Sequence, residues 1–233
     1  MTEPSGQAHS VPVIAIDGPS GSGKGTLAAR LAERLGWHLL DSGALYRIVA
    51  AVAIARKVLL YDESELAAVA DGLEIRFEPD RLLVDGQDLT LTIRTEAVST
   101  GSSRVAALPA VRAAVLEQQR SMCQPPGLVA DGRDMGTVVF PAAALKIFLD
   151  ANPEARAMRR YKQLKNKGLS VNLRDLLESI RERDERDRGR AVSPLQPAGD
   201  AILIDNTDMS IDAVVQRVYA EAVALGLTKG TQT

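Results

Sequence analysis

The chain has 233 residues, a formal charge of −2 at pH 7 and 45% apolar residues, enough for one large α/β core with a small insertion. The near-neutral charge argues against a protein that coats nucleic acid through bulk electrostatics. Aromatic residues make up only 3% of the chain, which leaves few platforms for stacking single strands. A single cysteine, Cys123, argues against a disulfide framework.

Nothing in the composition indicates export or insertion into a membrane. The first ten residues, MTEPSGQAHS, have neither the positive region nor the apolar region of a secretory signal. The chain has no run of about 18 apolar residues. We therefore expect a soluble, cytoplasmic protein without a membrane partner, with disordered tails at residues 1–10 and 227–233.

Strand and helix patterns alternate along most of the chain. Helical patterns occupy 24–35, 44–58, 153–167, 172–188 and 210–225. The short apolar runs that predict buried strands are VPVIAID (11–17), WHLLDSG (37–43), GLVADG (127–132), LKIFLDA (145–151) and AILIDN (201–206). This alternation predicts the α/β class, a P-loop doubly wound parallel sheet with helices on both faces.

The interval 72–100 has a different pattern. The stretch LEIRFEPDRLLVDGQDLTL alternates with period two and contains two turn signals, Pro79-Asp80 and Asp85-Gly86. It predicts a small antiparallel insert, so that the α/β core would consist of 11–71 and 101–226. A further helical stretch that includes 109–123 follows the insert.

The sequence GPSGSGKGT lies between the first predicted strand and the first predicted helix. Glycines at such a turn let backbone N–H groups close around an anion, and the following helix N-terminus presents further N–H donors. The usual pattern places Ser or Thr after the lysine, whereas this chain has Gly25 and then Thr26. We expect a nucleoside triphosphate to bind at Gly18, Pro19, Ser20, Gly21, Ser22, Gly23, Lys24, Gly25 and Thr26.

The acceptor of the phosphoryl group is indicated by what the chain lacks. A guanine-specific switch should carry an N-K-x-D reader, but the only Asn-Lys pair is followed by Gly168 and Leu169. His9 and His38 are poor candidates for a catalytic base. An alcohol acceptor would benefit from a base, whereas a phosphate acceptor is already ionised near pH 7, because its second pKa is about 6. Such an acceptor needs cations that hold two phosphates in line.

Arginines concentrate in the segment RERDERDRGR (181–190), and the planar guanidinium suits phosphate oxygens. This favours a nucleotide kinase. Two alternatives stay open at this point. One is a P-loop kinase that phosphorylates an alcohol, and the other is a nucleotide-dependent RNA-binding protein that uses the basic segment 154–190.

Several longer motifs resemble the bacterial cytidylate kinases, a family of nucleoside monophosphate kinases. They are DGPSGSGKGT (17–26), LLDSGALYR (39–47), ADGRDMGTVVFP (130–141), KIFLDA (146–151) and RERDERDRGRAVSPL (181–195). The resemblance extends from about residue 12 to 226, and Gly25 is normal for that family. It implies ATP as the phosphoryl donor, Mg²⁺, and CMP or dCMP as the acceptor, in a monomer that does not bind nucleic acid.

The resemblance also implies roles for individual residues. Ser42, Arg112, Asp134 and Arg190 would read the cytosine edge. Ser103, Arg183 and Asp187 would contact the sugar, and Arg47, Arg94 and Arg133 would hold the acceptor phosphate. The insert would lie beside the monophosphate site, and 154–170 would form a lid over the triphosphate. Catalysis would rest on Lys24, on Asp131 as the residue that organises the metal, and on the cations Arg133, Arg159 and Arg183.

Overall fold

A computed structural model describes residues 11–78, 81–166 and 168–228 of the chain. The predicted tail 1–10, the predicted turn at Pro79-Asp80 and residues 229–233 of the other predicted tail lie outside the described residues. The strands are β1 (Val13–Asp17), β2 (His38–Asp41), β3 (Ile75–Phe77), β4 (Leu82–Val84), β5 (Gln87–Asp88), β6 (Leu128–Gly132), β7 (Leu145–Asp150) and β8 (Ile202–Asp205). The helices are α1 (Lys24–Leu35), α2 (Ser42–Ala55), α3 (Glu63–Asp71), α4 (Glu96–Val105), α5 (Pro109–Ser121), α6 (Pro153–Asn166), α7 (Leu173–Arg188) and α8 (Ile211–Ala224).

The five predicted core strands form one parallel sheet in the order β2-β6-β1-β7-β8. In the centre of this sheet Ala15 pairs with Ala130 on one side and with Lys146 on the other. The predicted α/β class with a parallel sheet is confirmed. Because every strand runs in the same direction, all five carboxyl ends lie at one edge, where ligands bind in open α/β sheets.

Apolar side chains cover both faces of the sheet. On one face a cluster that includes Leu40 and Leu128 packs against α2, α3, α4 and α5. On the other face Ile14 and Ile16 pack against α1 and α8. Leu227, within the predicted C-terminal tail, also packs against this second cluster. Burial of β1 on both faces explains why its sequence is a continuous apolar run.

The second sheet is antiparallel, in the order β3-β4-β5, as the period-two pattern predicts. Positive φ angles at Asp85 and Gly86 form the tight turn between β4 and β5. The strands end at Asp88, earlier than the alternating pattern, because the Asp88 side chain accepts from the Thr90 backbone N–H at 2.9 Å and turns the chain. The rest of the interval 72–100 contains a 3₁₀ turn (Thr92–Arg94) and the start of α4.

No helix in the described parts of the chain is long and apolar enough to cross a membrane.

Candidate active site

A cavity of about 600 Å³ opens at the carboxyl edge of the parallel sheet. One wall consists of the loop between β1 and α1, and the opposite wall comes from α2, α4, α5, α7 and the segment after β6. Nearly all the predicted site residues converge here. Those that line the cavity are Ser20, Gly21, Gly23, Lys24, Gly25, Thr26, Ser42, Arg47, Ser103, Arg112, Asp131, Arg133, Asp134, Arg159, Arg183 and Arg190.

The loop between β1 and α1 has the geometry of an anion cradle. Gly18, Gly21 and Gly23 all have positive φ angles, at 151°, 78° and 95°. A Cβ atom on Gly18 would lie 2.0 Å from the carbonyl oxygen of Leu149, so only glycine fits there. Within the loop Pro19 and Ser22 are buried, and the backbone N–H groups at the start of α1 are left to face an anion.

Lys24 is held inside the cavity by neighbours on two elements. Its Nζ donates to the carbonyl oxygen of Pro19 at 3.0 Å and lies 4.0 Å from Asp131 Oδ1 at the end of β6. Burial lowers the pKa of Lys24, and the nearby Arg133 guanidinium lowers it further. Burial likewise raises the pKa of Asp131. The pair therefore forms a compact charged centre at the floor of the cavity.

Gly25 has a packing role that the sequence pattern alone does not reveal. A Cβ atom at this position would lie 3.1 Å from Asp131 Oδ2, which is tighter than ordinary van der Waals contact. The space that a Ser or Thr side chain would enter is thus occupied by a carboxylate from the neighbouring strand. The loop therefore has no hydroxyl at position 25 because the Asp131 carboxylate lies in the adjoining space.

Two arginines of α6 connect this helix to the loop. Arg156 is 1% exposed; its Nη1 donates to the Ser20 carbonyl oxygen at 3.1 Å and to Asp184 Oδ1 of α7 at 2.9 Å. Arg159 donates from Nη1 to the Ser22 carbonyl oxygen at 3.3 Å and from Nη2 to the Asn206 carbonyl oxygen at 2.6 Å. Both arginines fix the loop carbonyls, so that its N–H groups remain available for an anion.

A buried pair from two elements forms one part of the opposite wall. Arg112 of α5 makes an ion pair with Asp134, which follows β6, and both side chains are almost completely buried. Arg112 also donates to the Ala106 carbonyl oxygen at 3.2 Å. Ser42 begins α2 and lies close by, since a Cβ atom on Gly132 would be 2.7 Å from Ser42 Oγ. A hydroxyl, a carboxylate and a guanidinium group thus lie together in a buried corner of the cavity.

A second cluster of charges centres on Asp187 of α7, which is fully buried. It accepts from Arg133 Nε at 2.8 Å and also pairs with Arg190. Burial alone would raise the pKa of Asp187, but Arg133 and Arg190 hold it below the ordinary value. Burial lowers the pKa of Arg183 to about 10, so this guanidinium stays charged at neutral pH.

Two arginines predicted to hold a phosphate occupy different environments. Arg47 lines the cavity and pairs with Asp41 at 2.6 Å, while Asp41 also accepts from the Ala44 N–H at 3.0 Å as the N-cap of α2. Arg94 ends the 3₁₀ turn, is exposed and does not line the cavity. The structure therefore brings Arg47 into the site and leaves Arg94 outside it.

Several buried polar atoms on the cavity wall have no hydrogen-bond partner within 11–78, 81–166 and 168–228. They belong to residues that line the cavity: Tyr46 Oη, Ser103 Oγ, Arg112 Nε, Arg183 Nε and Arg190 Nε. Buried polar groups are nearly always paired in native proteins, so a group of unpaired ones around a cavity points to a polar ligand. Four of the five are in residues that the sequence singled out.

The donor set suits a hydrated cation bound chiefly through a nucleotide. Among the described residues, no group of three or more His, Cys, Asp or Glu side chains could hold a metal ion. Mg²⁺ commonly keeps several waters and takes one or two carboxylates together with phosphate oxygens. Asp131, at the loop and 8% exposed, fits that requirement.

Among the residues that line the cavity, sequence reasoning missed Tyr46 and Asn206. It also missed Asp17 and Arg156, which lie outside the cavity and hold segments of its wall. Tyr46 lies within LLDSGALYR and is four residues after Ser42, so helical spacing could have placed it on the cavity wall. Asn206 ends the AILIDN strand, and its Nδ2 donates to the Ser22 carbonyl oxygen at 2.8 Å. A polar residue at the carboxyl end of a parallel strand was the signal available for Asn206 and Asp17.

Comparisons with a family profile and with individual relatives indicate the same family. A sequence profile of the family described as cytidylate kinase matches residues 14–224. A cytidylate kinase of Aeromonas hydrophila subsp. hydrophila is 56% identical over 215 residues, which cover 91% of this chain and 94% of the relative. Another, from Pseudomonas aeruginosa strain LESB58, is 58% identical over 214 residues, covering 89% of this chain and 93% of the relative.

Proposed function

The chain belongs to the cytidylate kinase family, and we propose that it transfers the γ-phosphoryl group of ATP to CMP or dCMP, giving ADP and CDP or dCDP. The observation that carries this proposal is the cavity wall opposite the loop between β1 and α1. There, arginines whose buried Nε atoms have no partner in the described parts of the chain lie beside the Arg112–Asp134 pair. A phosphate-binding loop facing such a wall suits a donor phosphate and an acceptor phosphate in one cavity.

The donor triphosphate would bind at the loop 18–26. The backbone N–H groups and Lys24 would contact its β- and γ-phosphates. Arg159, anchored to the loop and to β8, lies on the cavity wall and would stabilise the charge that develops on the transferring group. The neighbouring Arg160, which pairs with Glu96 of α4 at 3.5 Å, is in position to do the same.

The cytosine ring would bind in the corner formed by Ser42, Arg112, Asp134 and Arg190. A hydroxyl and a carboxylate can accept from the exocyclic amine, while a guanidinium can donate to the ring nitrogen and carbonyl. These side chains are almost completely buried, so a nucleobase with the wrong pattern of donors and acceptors would leave buried charges unpaired. Such a mismatch is far more costly than a mismatch in an apolar pocket.

The sugar and phosphate of the acceptor would lie along α7 and α4. Ser103, Arg183 and Asp187 would contact the sugar, and Arg47 and Arg133 would hold the phosphate. Arg94, exposed in this structure, would reach the phosphate only if the segment after β5 moved toward the cavity. Substrate-induced closure of loops or domains produces such inward movements in many enzymes.

The reaction requires positioning more than proton transfer. The acceptor phosphate is ionised near pH 7, so the site needs no general base. Within the described residues no histidine lines the cavity, and His38 lies outside it with Nε2 2.9 Å from the Pro125 carbonyl oxygen. Arg133, Arg159 and Arg183 would offset the mutual repulsion of two phosphates and hold them in line.

Asp131 would hold Mg²⁺ partly through water, and the metal would neutralise charge on the β- and γ-phosphates. Residues 154–170 would act as the lid, residues 72–100 as the monophosphate-binding insert, and 11–71 with 101–226 as the core. We place this enzyme in the cytoplasm as a monomer that binds nucleotides and not nucleic acid.

A panel of acceptors tests the function directly. ADP release from ATP, followed with a coupled assay, should be fast with CMP and dCMP and slower with UMP, AMP and GMP. A clear preference for AMP or GMP would contradict the cytidylate assignment. Inactivity on all five monophosphates would instead favour a P-loop kinase that acts on an alcohol.

A further inference from the structure

Asp17, the last residue of β1, is a buried acid that the proposed chemistry does not use. Asp17 is 4% exposed and does not line the cavity. It directly precedes Gly18, the first residue of the donor loop. Any group that the Asp17 side chain binds is therefore fixed relative to the start of the donor loop.

Both oxygens of Asp17 accept from backbone N–H groups more than 100 residues away in the sequence. Oδ1 accepts from Met135 N at 2.8 Å, and Oδ2 accepts from Gly136 N at 2.8 Å. These two residues start a π-helical turn (Met135–Val139) that follows β6. A carboxylate that accepts from two successive N–H groups fixes both the position and the orientation of that turn.

The turn carries the acceptor-binding residues at its start. Arg133 and Asp134 immediately precede it, and the Asp134 carbonyl oxygen accepts from Val138 N at 2.9 Å and Val139 N at 3.1 Å. The peptide unit between Asp134 and Met135 is thereby held at both its carbonyl oxygen and its N–H, next to the Asp134 side chain that pairs with Arg112. Any shift of the turn would move Arg133 and Asp134 together.

Asp17 occupies this place without a cationic partner. None of the salt bridges within the described residues includes it, and burial raises its pKa to about 6, although the two N–H groups act in the opposite direction. Keeping an unpaired charge in a dry position costs free energy of folding.

Building on the proposed function, we propose that Asp17 is a positioning residue that sets the acceptor-binding segment 133–136 against the donor loop. It acts through Arg133 and Asp134 and touches neither nucleotide. It keeps the acceptor phosphate at a fixed separation from the γ-phosphate, and in-line transfer depends strongly on that separation.

The test compares the change in KM for CMP with the change in KM for ATP in Asp17→Asn. This substitution keeps the size of the side chain but turns an NH₂ group toward one of the two N–H donors. KM for CMP should rise about tenfold or more and kcat should fall, while KM for ATP should stay within about twofold. Asp150→Asn is the matched control, because Asp150 ends the neighbouring strand β7 and its side chain, within the described residues, accepts only from the adjacent Ala151 N, at 2.8 Å.

Gly136→Ala provides a second variant if Asp17→Asn fails to fold. Its Cβ would lie 3.2 Å from Lys146 Cδ, a tight contact that puts pressure on the turn from the side of β7, and 3.5 Å from Asp17 Oδ2, so the charge of Asp17 stays in place. We expect the same split, with the larger change in KM for CMP.

Equal changes in both KM values, no change in either, or the same split in Asp150→Asn would overturn the positioning role. A wild-type enzyme that prefers another monophosphate would refute the proposed substrate instead, and the split would then be measured with that acceptor.

Discussion

Gly25 illustrates how one residue position depends on a distant one. The first turn of α1 has no side chain where a hydroxyl usually follows the lysine, and Asp131 Oδ2 occupies the adjoining space. The φ angle of Gly25 is not positive, so the backbone conformation does not require glycine there. Packing against Asp131, 4.0 Å from Lys24 Nζ, is the physical reason for the glycine.

Gly25→Ala should lower activity without weakening the fold. Alanine favours helix over glycine, so the melting temperature should stay the same or rise, whereas displacement of Asp131 should lower kcat on the order of tenfold. Steady-state kinetics and thermal melts of the same preparation measure both effects. Gly199→Ala is the control, because a Cβ there meets nothing within 4 Å. Unchanged kcat in Gly25→Ala would contradict the packing argument.

Individual site residues were predictable where a motif places them, and not where a tertiary contact defines them. The glycines, Lys24 and Asp131 follow from local sequence, because a strand, a turn and a helix start are local features. Arg156 and Asp17 have partners 28 and more than 100 residues away. No local pattern distinguishes the Arg156 side chain from surface charge, and the strand-end position of Asp17 does not indicate which groups it binds. Only the fold reveals these contacts.

At the scale of elements, the parallel strands were the easiest to predict. Burial on both faces makes β1, β6 and β7 continuous apolar runs, which the sequence shows directly. The short helix α3, which was not predicted, buries only three side chains, Leu66, Val69 and Ala70. Its apolar face is therefore too small to produce a clear periodicity.

Helices α6 and α7 are joined by two ion pairs that differ in exposure. Arg156–Asp184 is buried and also holds the Ser20 carbonyl oxygen, whereas Arg181–Glu154 is more than half exposed at 2.7 Å. The same two helices therefore offer a direct comparison of a buried pair with an exposed one.

Asp184→Asn should destabilise the protein by about 3–5 kcal/mol, because it leaves the buried Arg156 guanidinium without a counter-charge. Glu154→Gln, which breaks the exposed pair between the same helices, should change the free energy of unfolding little, since solvent screens that pair. Urea denaturation of both variants measures the difference. Equal effects in the two variants would show that α6 and α7 are held together without the buried pair.

At the scale of the whole molecule, the parallel sheet places donor and acceptor groups on one rigid edge. β1 supplies the donor loop, β6 supplies Asp131 and the acceptor-binding segment, and β2 and β8 supply Asp41 and the segment that ends in Asn206. The charges that this edge buries make the stability of the whole chain depend on pH.

Asp17 should make the wild-type protein less stable as the pH rises. Burial raises its pKa from 3.8 to about 6 in the folded state, so its stabilising contribution is fully present below pH 3.8 and is lost as the pH rises through about 6. The difference between these two pKa values corresponds to about 3 kcal/mol of unfolding free energy. Free energies of unfolding of wild type and Asp17→Asn, measured by urea denaturation from pH 4 to 7, should therefore diverge by about that amount in favour of the variant. Subtracting the two curves removes the titration of groups that do not interact with Asp17, such as Asp187, and parallel curves would show that Asp17 does not titrate in this range.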